Sequence, residues 1–188
     1  MTSYLLAFKG LPGTGKSTLS RALARILRWP LIDKDDIKDV IHADCPCSGP
    51  LSYDTMFRVA ARQLACGLNV ICDSPLWYEV SYAQASRIAH QHAATLLVLE
   101  TTLSDLDLWR DRINDRQNDA ARMAAAHHVT SWETMQASPA FQERHTPAFS
   151  IESPYLRLDT AGSLHAARAT ALAWLRDHGV KIPATATL

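Results

Sequence analysis

The stretch "GLPGTGKST", residues 10–18, limits what this chain can become more than any other part of it. Three of the seven glycines fall within six positions, and Lys16, Ser17 and Thr18 follow directly. Before it, "YLLAFK" (4–9) is a short apolar run of the kind that forms a buried strand. After it, "TLSRALARIL" (18–27) repeats apolar residues at spacings of three and four, the signature of a helix. Gly10, Gly15, Lys16 and Ser17 satisfy the pattern GxxxxGK[ST] in the strand–turn–helix setting that the pattern requires. Glycine lets the backbone curl until successive N–H groups converge, and the helix N-terminus adds partial positive charge at the same point. Such a point suits a phosphate chain, so Gly10, Pro12, Gly13, Thr14, Gly15, Lys16, Ser17 and Thr18 form a candidate nucleotide-binding loop. Lys16 would supply a point charge to the β- and γ-phosphates, and the Ser17 hydroxyl would join a Mg²⁺ shell.

The rest of the chain alternates extended and helical signals. "LNVICD" (68–73) and "ATLLVLE" (94–100) read as strands buried on both faces, "YLRLDT" (155–160) as a weaker one, and a short strand precedes "DKDD". Helices are expected over about 35–43, 53–66, 79–92, 104–117, 131–144 and 163–178. Ser104 and Ser163 are placed as N-caps, and Gly67 and Gly179 as left-handed C-caps. Strands separated by helices imply right-handed crossovers. The expected fold is α/β: a three-layer open parallel sheet of about five strands with helices on both faces and ligands at the carboxyl ends of the strands.

At 188 residues and 47% apolar content the chain fits one domain spanning 1–188, with "KIPATATL" (181–188) as a loose tail. Lys plus Arg equals Asp plus Glu at 19 each, so no net field draws the protein to nucleic acid or membranes. The N-terminal apolar run is too short for a secretory signal, and no run of about 18 apolar residues exists to span a membrane, so a cytoplasmic address is expected. The spacing of Cys45 and Cys47 fits neither CxxC redox chemistry nor common zinc pairs. Free thiols are the expectation.

"LIDKDDIKDVI" (31–41) follows the second strand, which puts Asp33, Lys34, Asp35, Asp36 and Lys38 at the carboxyl edge of the sheet. A carboxylate there can accept the proton of an attacking hydroxyl. The same residues also make a good helix start with solvated charges, and spacing alone does not decide between the two. Asp73, closing the strand in "NVICDSP", can hold Mg²⁺ or cap a turn. Its neighbour is Ser74 rather than the glutamate that activates water in ATP-driven motors, which favours transfer over hydrolysis. Arg110, Arg112 and Arg116 lie on one predicted helix, and Arg112 and Arg116 share a face. Pairing with Asp111, Asp115 and Asp119 on a solvated surface is the alternative for them.

"FKGLPGTGKSTLSRALA" followed by "LIDKDDIKDVI" resembles the P-loop kinases that include polynucleotide 5′-hydroxyl kinases, zeta toxins, chloramphenicol phosphotransferase and related AAA-domain kinase-like ATP-binding proteins. The resemblance implies a nucleoside- and shikimate-kinase-like fold with a small helical lid at about 112–130. It also implies Asp35 as general base, with Asp33 as its rival, and Lys38 three positions on as a substrate contact. Lysine there gives up the bidentate grip that arginine offers in some members. Asp36 would be only a helix cap. The lid arginines, Arg116 first and Arg112 second, would neutralise charge on the transferred phosphoryl group. "LRLDTAGS" would pass near the adenine, making Asp159, Thr160 and Ala161 base contacts.

Trp77, Tyr78 and Tyr82 would either stack on an acceptor ring or pack in the core. His127 and His128 fall in the expected lid. The leading reading is therefore an ATP- and Mg²⁺-dependent kinase acting on a hydroxyl of a small molecule. Two rivals remain: a 5′-hydroxyl kinase of RNA or DNA, disfavoured by the lack of a basic run, and a non-catalytic ATP switch.

Overall fold

The computed structural model describes residues 2–42, 45, 47–118, 130–145 and 149–183. Five strands, β1 (Tyr4–Lys9), β2 (Leu31–Asp33), β3 (Val70–Asp73), β4 (Thr95–Thr102) and β5 (Tyr155–Asp159), form one all-parallel sheet in the order β2-β3-β1-β4-β5. The helices are α1 (Lys16–Leu27), α2 (Lys34–Ile41), α3 (Ser48–Ala65), α4 (Glu79–Gln91), α5 (Leu106–Asn118), α6 (Trp132–Gln136), α7 (Pro139–Gln142) and α8 (Leu164–Asp177).

Alternate side chains of β1 build the two cores. Leu5 and Ala7 enter one with Met56, Phe57 and Ala60 of α3 and Ala85 and Ile88 of α4. Leu6 and Phe8 enter the other with Leu19, Leu23 and Leu27 of α1 and Ala171, Leu172 and Leu175 of α8. A strand that is 0–1% exposed from Leu5 to Phe8 has no solvated face, which is why its sequence lacks polar alternation. A third cluster, Leu11, Leu103, Trp109, Ile113, Trp132, Met135 and Phe141, packs beyond the carboxyl end of the sheet.

The expected open parallel sheet of five strands is the observed one, and several boundaries differ for local reasons. Helix α3 starts at Ser48, five residues before the expected position, because Pro50 falls in the first turn, where its missing N–H costs nothing. The helix expected over 131–144 is two short helices. Pro139 forces Ser138 into an extended conformation (φ −74°, ψ 142°), and the Ser138 hydroxyl then accepts from Phe141 N to begin α7. Asp105 replaces Ser104 as the cap of α5, its carboxylate accepting from Leu108 N at 2.9 Å. Asp33, not Asp36, caps α2, accepting from Asp35 N.

Ser163 caps α8 as expected, and Gly67 and Gly179 adopt the left-handed conformation after α3 and α8. At the end of the described chain Val180 is buried and Ile182 packs on the second core. Cys45 and Cys47 are free thiols with Sγ atoms 2.7 Å apart. Among the described residues no helix is long and apolar enough to cross a membrane.

Candidate active site

Strands β2 and β3 lie on one side of β1, and β4 and β5 on the other. Connections therefore leave in opposite directions around the carboxyl end of β1, where an open α/β sheet forms its ligand crevice. Residues 10–15 fill that point. Gly13 has φ +82°, and a Cβ there would come within 2.9 Å of Trp109 and Ile113 on α5, so the loop can pass beneath the helix only as glycine. Trp109 holds it down, donating from Nε1 to Pro12 O at 2.8 Å. Thr14 is fixed from both sides, with its Oγ1 2.8 Å from Thr101 Oγ1 and its carbonyl accepting from Thr160 Oγ1 at 2.8 Å.

Two of the cavities that touch this loop share Arg116. The first, about 460 Å³, is lined by Gly13, Gly15, Thr18, Arg112, Arg116, Thr160 and the Gly162–Leu164 turn. Arg112 donates to Thr160 Oγ1 at 3.2 Å and Thr160 O at 3.0 Å, which ties α5 to the β5–α8 turn. The second, about 330 Å³, brings together Lys16, Ser17, Asp33, Asp35, Lys38, Asp73 and Arg116, with Arg21, Asp39 and Thr130 at its margins. Arg116 borders both cavities.

The charges in the second cavity tune one another. Burial, with help from Arg116 and against the pull of Asp73, Asp35 and Asp33, brings the Lys16 ammonium down to about 8. Its Nζ donates to Leu11 O at 2.9 Å. Asp73 is 2% exposed and accepts from Ser20 Oγ at 2.8 Å. Burial and the neighbouring Asp73 carboxylate push the Asp33 carboxyl up to about 6. Burial also acts upward on Asp35, but Lys34, 2.7 Å away, with Lys16 and Lys38, outweighs it and holds the carboxyl below the usual range. Asp35 reaches solvent with half its side chain, whereas the Asp33 side chain is 11% exposed.

Asp73 and Ser17 offer hard oxygen donors to the same cavity, and among the described residues no cation lies within ion-pair distance of the Asp73 carboxylate. That donor set fits Mg²⁺.

Several expected site residues lie elsewhere. Trp77 packs on the third core and lines a separate cavity, and Tyr78 is 66% exposed at the start of α4. Neither borders the cavity that holds Asp35. Tyr82 is buried, its hydroxyl accepting from Glu152 N and Ser153 N. Asp159 accepts from Ser104 N and Ala161 N and borders the same separate cavity as Trp77 rather than the one beside Gly15. Arg110 pairs with Asp107 at 3.0 Å on the surface. His127 and His128, with most of the expected lid, lie outside the described residues.

Sequence reasoning assigned no part to Arg21, 3.8 Å from Asp33, or to Lys34 as partner of Asp35. Arg21 was legible as the residue one helical turn after Ser17. Lys34 carried no signal, since lysine beside aspartate is ordinary at a helix start.

Comparisons with known proteins bear on the fold that carries this site. A candidate kinase of Chloroflexus aurantiacus superposes with a TM-score of 0.73 at 25% identity, covering 95% of this chain and 99% of the other. A sugar kinase from Janibacter gives 0.65 at 13% identity, covering 94% and 95%. The APS kinase of Mycobacterium tuberculosis, solved with AMPPNP and APS, gives 0.63 at 17%, covering 93% and 98%. No relative is found among curated proteins. The fold is thus the kinase-like P-loop fold, and the family described as AAA domain matches residues 5–141, well over half the chain. By that match the chain belongs to the AAA domain family, among its kinase-like P-loop proteins.

Proposed function

We propose that this protein transfers the γ-phosphate of ATP to a hydroxyl of a small-molecule acceptor. The observation that carries the reading is that Lys16, Asp73, Asp35 and Arg116 border a single cavity of about 330 Å³. A cavity of that size sits near the lower end of small-ligand sites. The backbone N–H groups of residues 13–18 would cradle the phosphates, Lys16 would take the β- and γ-oxygens, and Gly15, Thr160 and the Gly162–Leu164 turn would flank the base. Mg²⁺, held by Ser17 and Asp73, would neutralise charge on the phosphate oxygens.

Asp35 would take the acceptor's proton as its oxygen bonds to the γ-phosphorus and ADP leaves. Lys38 would orient the acceptor. Arg116, between the two cavities, would offset charge spreading over the moving phosphoryl group, with Arg112 bracing the base side. One domain carries the whole site, with 112–130 as its lid. The free thiols fit a protein of the cytoplasm.

The test is an ATP-consumption screen over hydroxyl-bearing antibiotics, nucleosides, sugars and a 5′-hydroxyl oligonucleotide, run beside Asp35→Asn. Acceptor-dependent ADP release with a small molecule, lost in Asp35→Asn while ATP still binds, supports the reading. Consumption with the oligonucleotide alone would make the protein a polynucleotide kinase. ATP binding with no acceptor at all would make it a switch.

A further inference from the structure

A third cavity, about 310 Å³, shares no lining residue with the two described above. Its floor follows from sheet register. Lys9 pairs with Glu100 across β1 and β4, and Glu100 with Arg157 across β4 and β5, so the three side chains form a row on one sheet face. Lys9 (1% exposed) donates to Glu100 Oε1 at 2.8 Å, and Tyr155 donates to the other oxygen, so the acid is neutralised before any ligand arrives. The walls are Leu11, Leu103, Trp77 and Trp109.

Around the mouth stand two cations, Arg144 and Arg157, and one carboxylate, Asp159, which already accepts from Ser104 N and Ala161 N. Arg157 donates to the carbonyls of His145 and Arg144, and Arg144 to Phe141 O, so both guanidinium groups keep N–H donors to spare. Among the described residues no carboxylate lies within ion-pair distance of either. Apolar walls that include the Trp77 and Trp109 indoles, below two guanidinium groups with N–H donors left over, match a flat apolar ring carrying one carboxylate, which arginine grips through two parallel N–H bonds. The volume limits the ligand to one or two rings. Trp77, Arg144 and Arg157 have no part in the phosphate chemistry proposed above.

We propose that this cavity is a second ligand site, for a small aromatic carboxylate that binds at the same time as nucleotide. Because Leu11 and Thr14 belong to the phosphate loop, the occupant would rest against the back of that loop.

Calorimetry of the full chain with 2-naphthoate, and with neutral 2-naphthylmethanol as control, tests it. One saturable site with Kd of about 0.1–1 mM is expected, with the alcohol at least about tenfold weaker. Saturating ATP should leave the carboxylate's Kd within about threefold. Arg157→Glu, at an exposed position, should weaken it about tenfold or more. Ser104→Trp, which fills the mouth and leaves both arginines, should abolish binding. No saturable heat up to about 10 mM would overturn the proposal. So would a Kd that climbs in proportion to ATP, equal binding of acid and alcohol, or wild-type affinity in both variants.

Discussion

Lys16 is the residue on which phosphate binding turns, and its environment makes that binding depend on pH. Burial brings its pKa to about 8 in the free site, so the ammonium starts to lose its proton just above physiological pH. A phosphate anion favours the charged form, so the bound protein keeps a proton that the free protein releases. Affinity must therefore fall as pH rises through 8 and stay level below about 7. Calorimetric titration with magnesium ATP should show Kd rising toward about tenfold per pH unit above 8, with proton uptake visible in buffers of different ionisation enthalpy. Lys16→Ala should bind weakly and without that slope.

The two aspartates separate in the same way. With Asp35 as base, kcat/KM for transfer should show no acid limb near pH 6, because lysines hold that carboxyl low. A limb near pH 6, removed by Asp33→Asn, would move the role to Asp33. The sequence displayed both carboxylates but not their difference. That difference comes from burial and Asp73 at Asp33 on one side, and on the other chiefly from Lys34, which is 7% exposed, lies 5.5 Å from the Tyr53 ring of α3 and is 2.7 Å from Asp35.

At the scale of elements, α5 and the phosphate loop form one unit. Trp109 meets Trp132 at 6.2 Å and Phe141 at 5.3 Å between ring centroids, and its indole N–H reaches back to Pro12. Trp109→Phe keeps an aromatic ring in the cluster but leaves the Pro12 carbonyl without that donor. The expected cost is about 1–3 kcal/mol of stability by urea unfolding, with ATP affinity reduced about three- to tenfold because the loop loses its fixed position. If the helix only packs against the loop without positioning it, stability would fall while affinity held.

Periodicity could find α5, since its apolar positions repeat regularly, and the motif could find the loop. Their contact was not legible, because Pro12 and Trp109 are 97 residues apart and nothing local to either implies the other. Likewise the helix expected over 131–144 only fills the gap ahead of the last strand. Proline chemistry at Pro139 divides it in two.

Over the whole molecule, the class of sheet could be read from the chain while its strand order could not. Strands too apolar to alternate must be covered on both faces, which is a local property. Placing β1 between β3 and β4 is a matter of pairing between distant segments, and it alone creates the Lys9–Glu100 pair, whose partners are 91 residues apart. That pair bridges β1 and β4 at the carboxyl end of β1, with side chains 1% and 7% exposed. Two charges so far from water cost desolvation that their attraction repays only while both are present. Glu100→Gln, which leaves the Lys9 ammonium without its counter-charge, should lower stability by about 3–5 kcal/mol. Replacing both partners by apolar residues, Lys9→Met with Glu100→Leu, should bring unfolding back to within about 1–2 kcal/mol of the natural chain. Urea unfolding of the three proteins decides it. If the double variant is as weak as the single, the pair contributes net stability and its persistence needs no ligand to explain it; if stability recovers, the charges are kept for something other than folding, and the cavity above them is where to look.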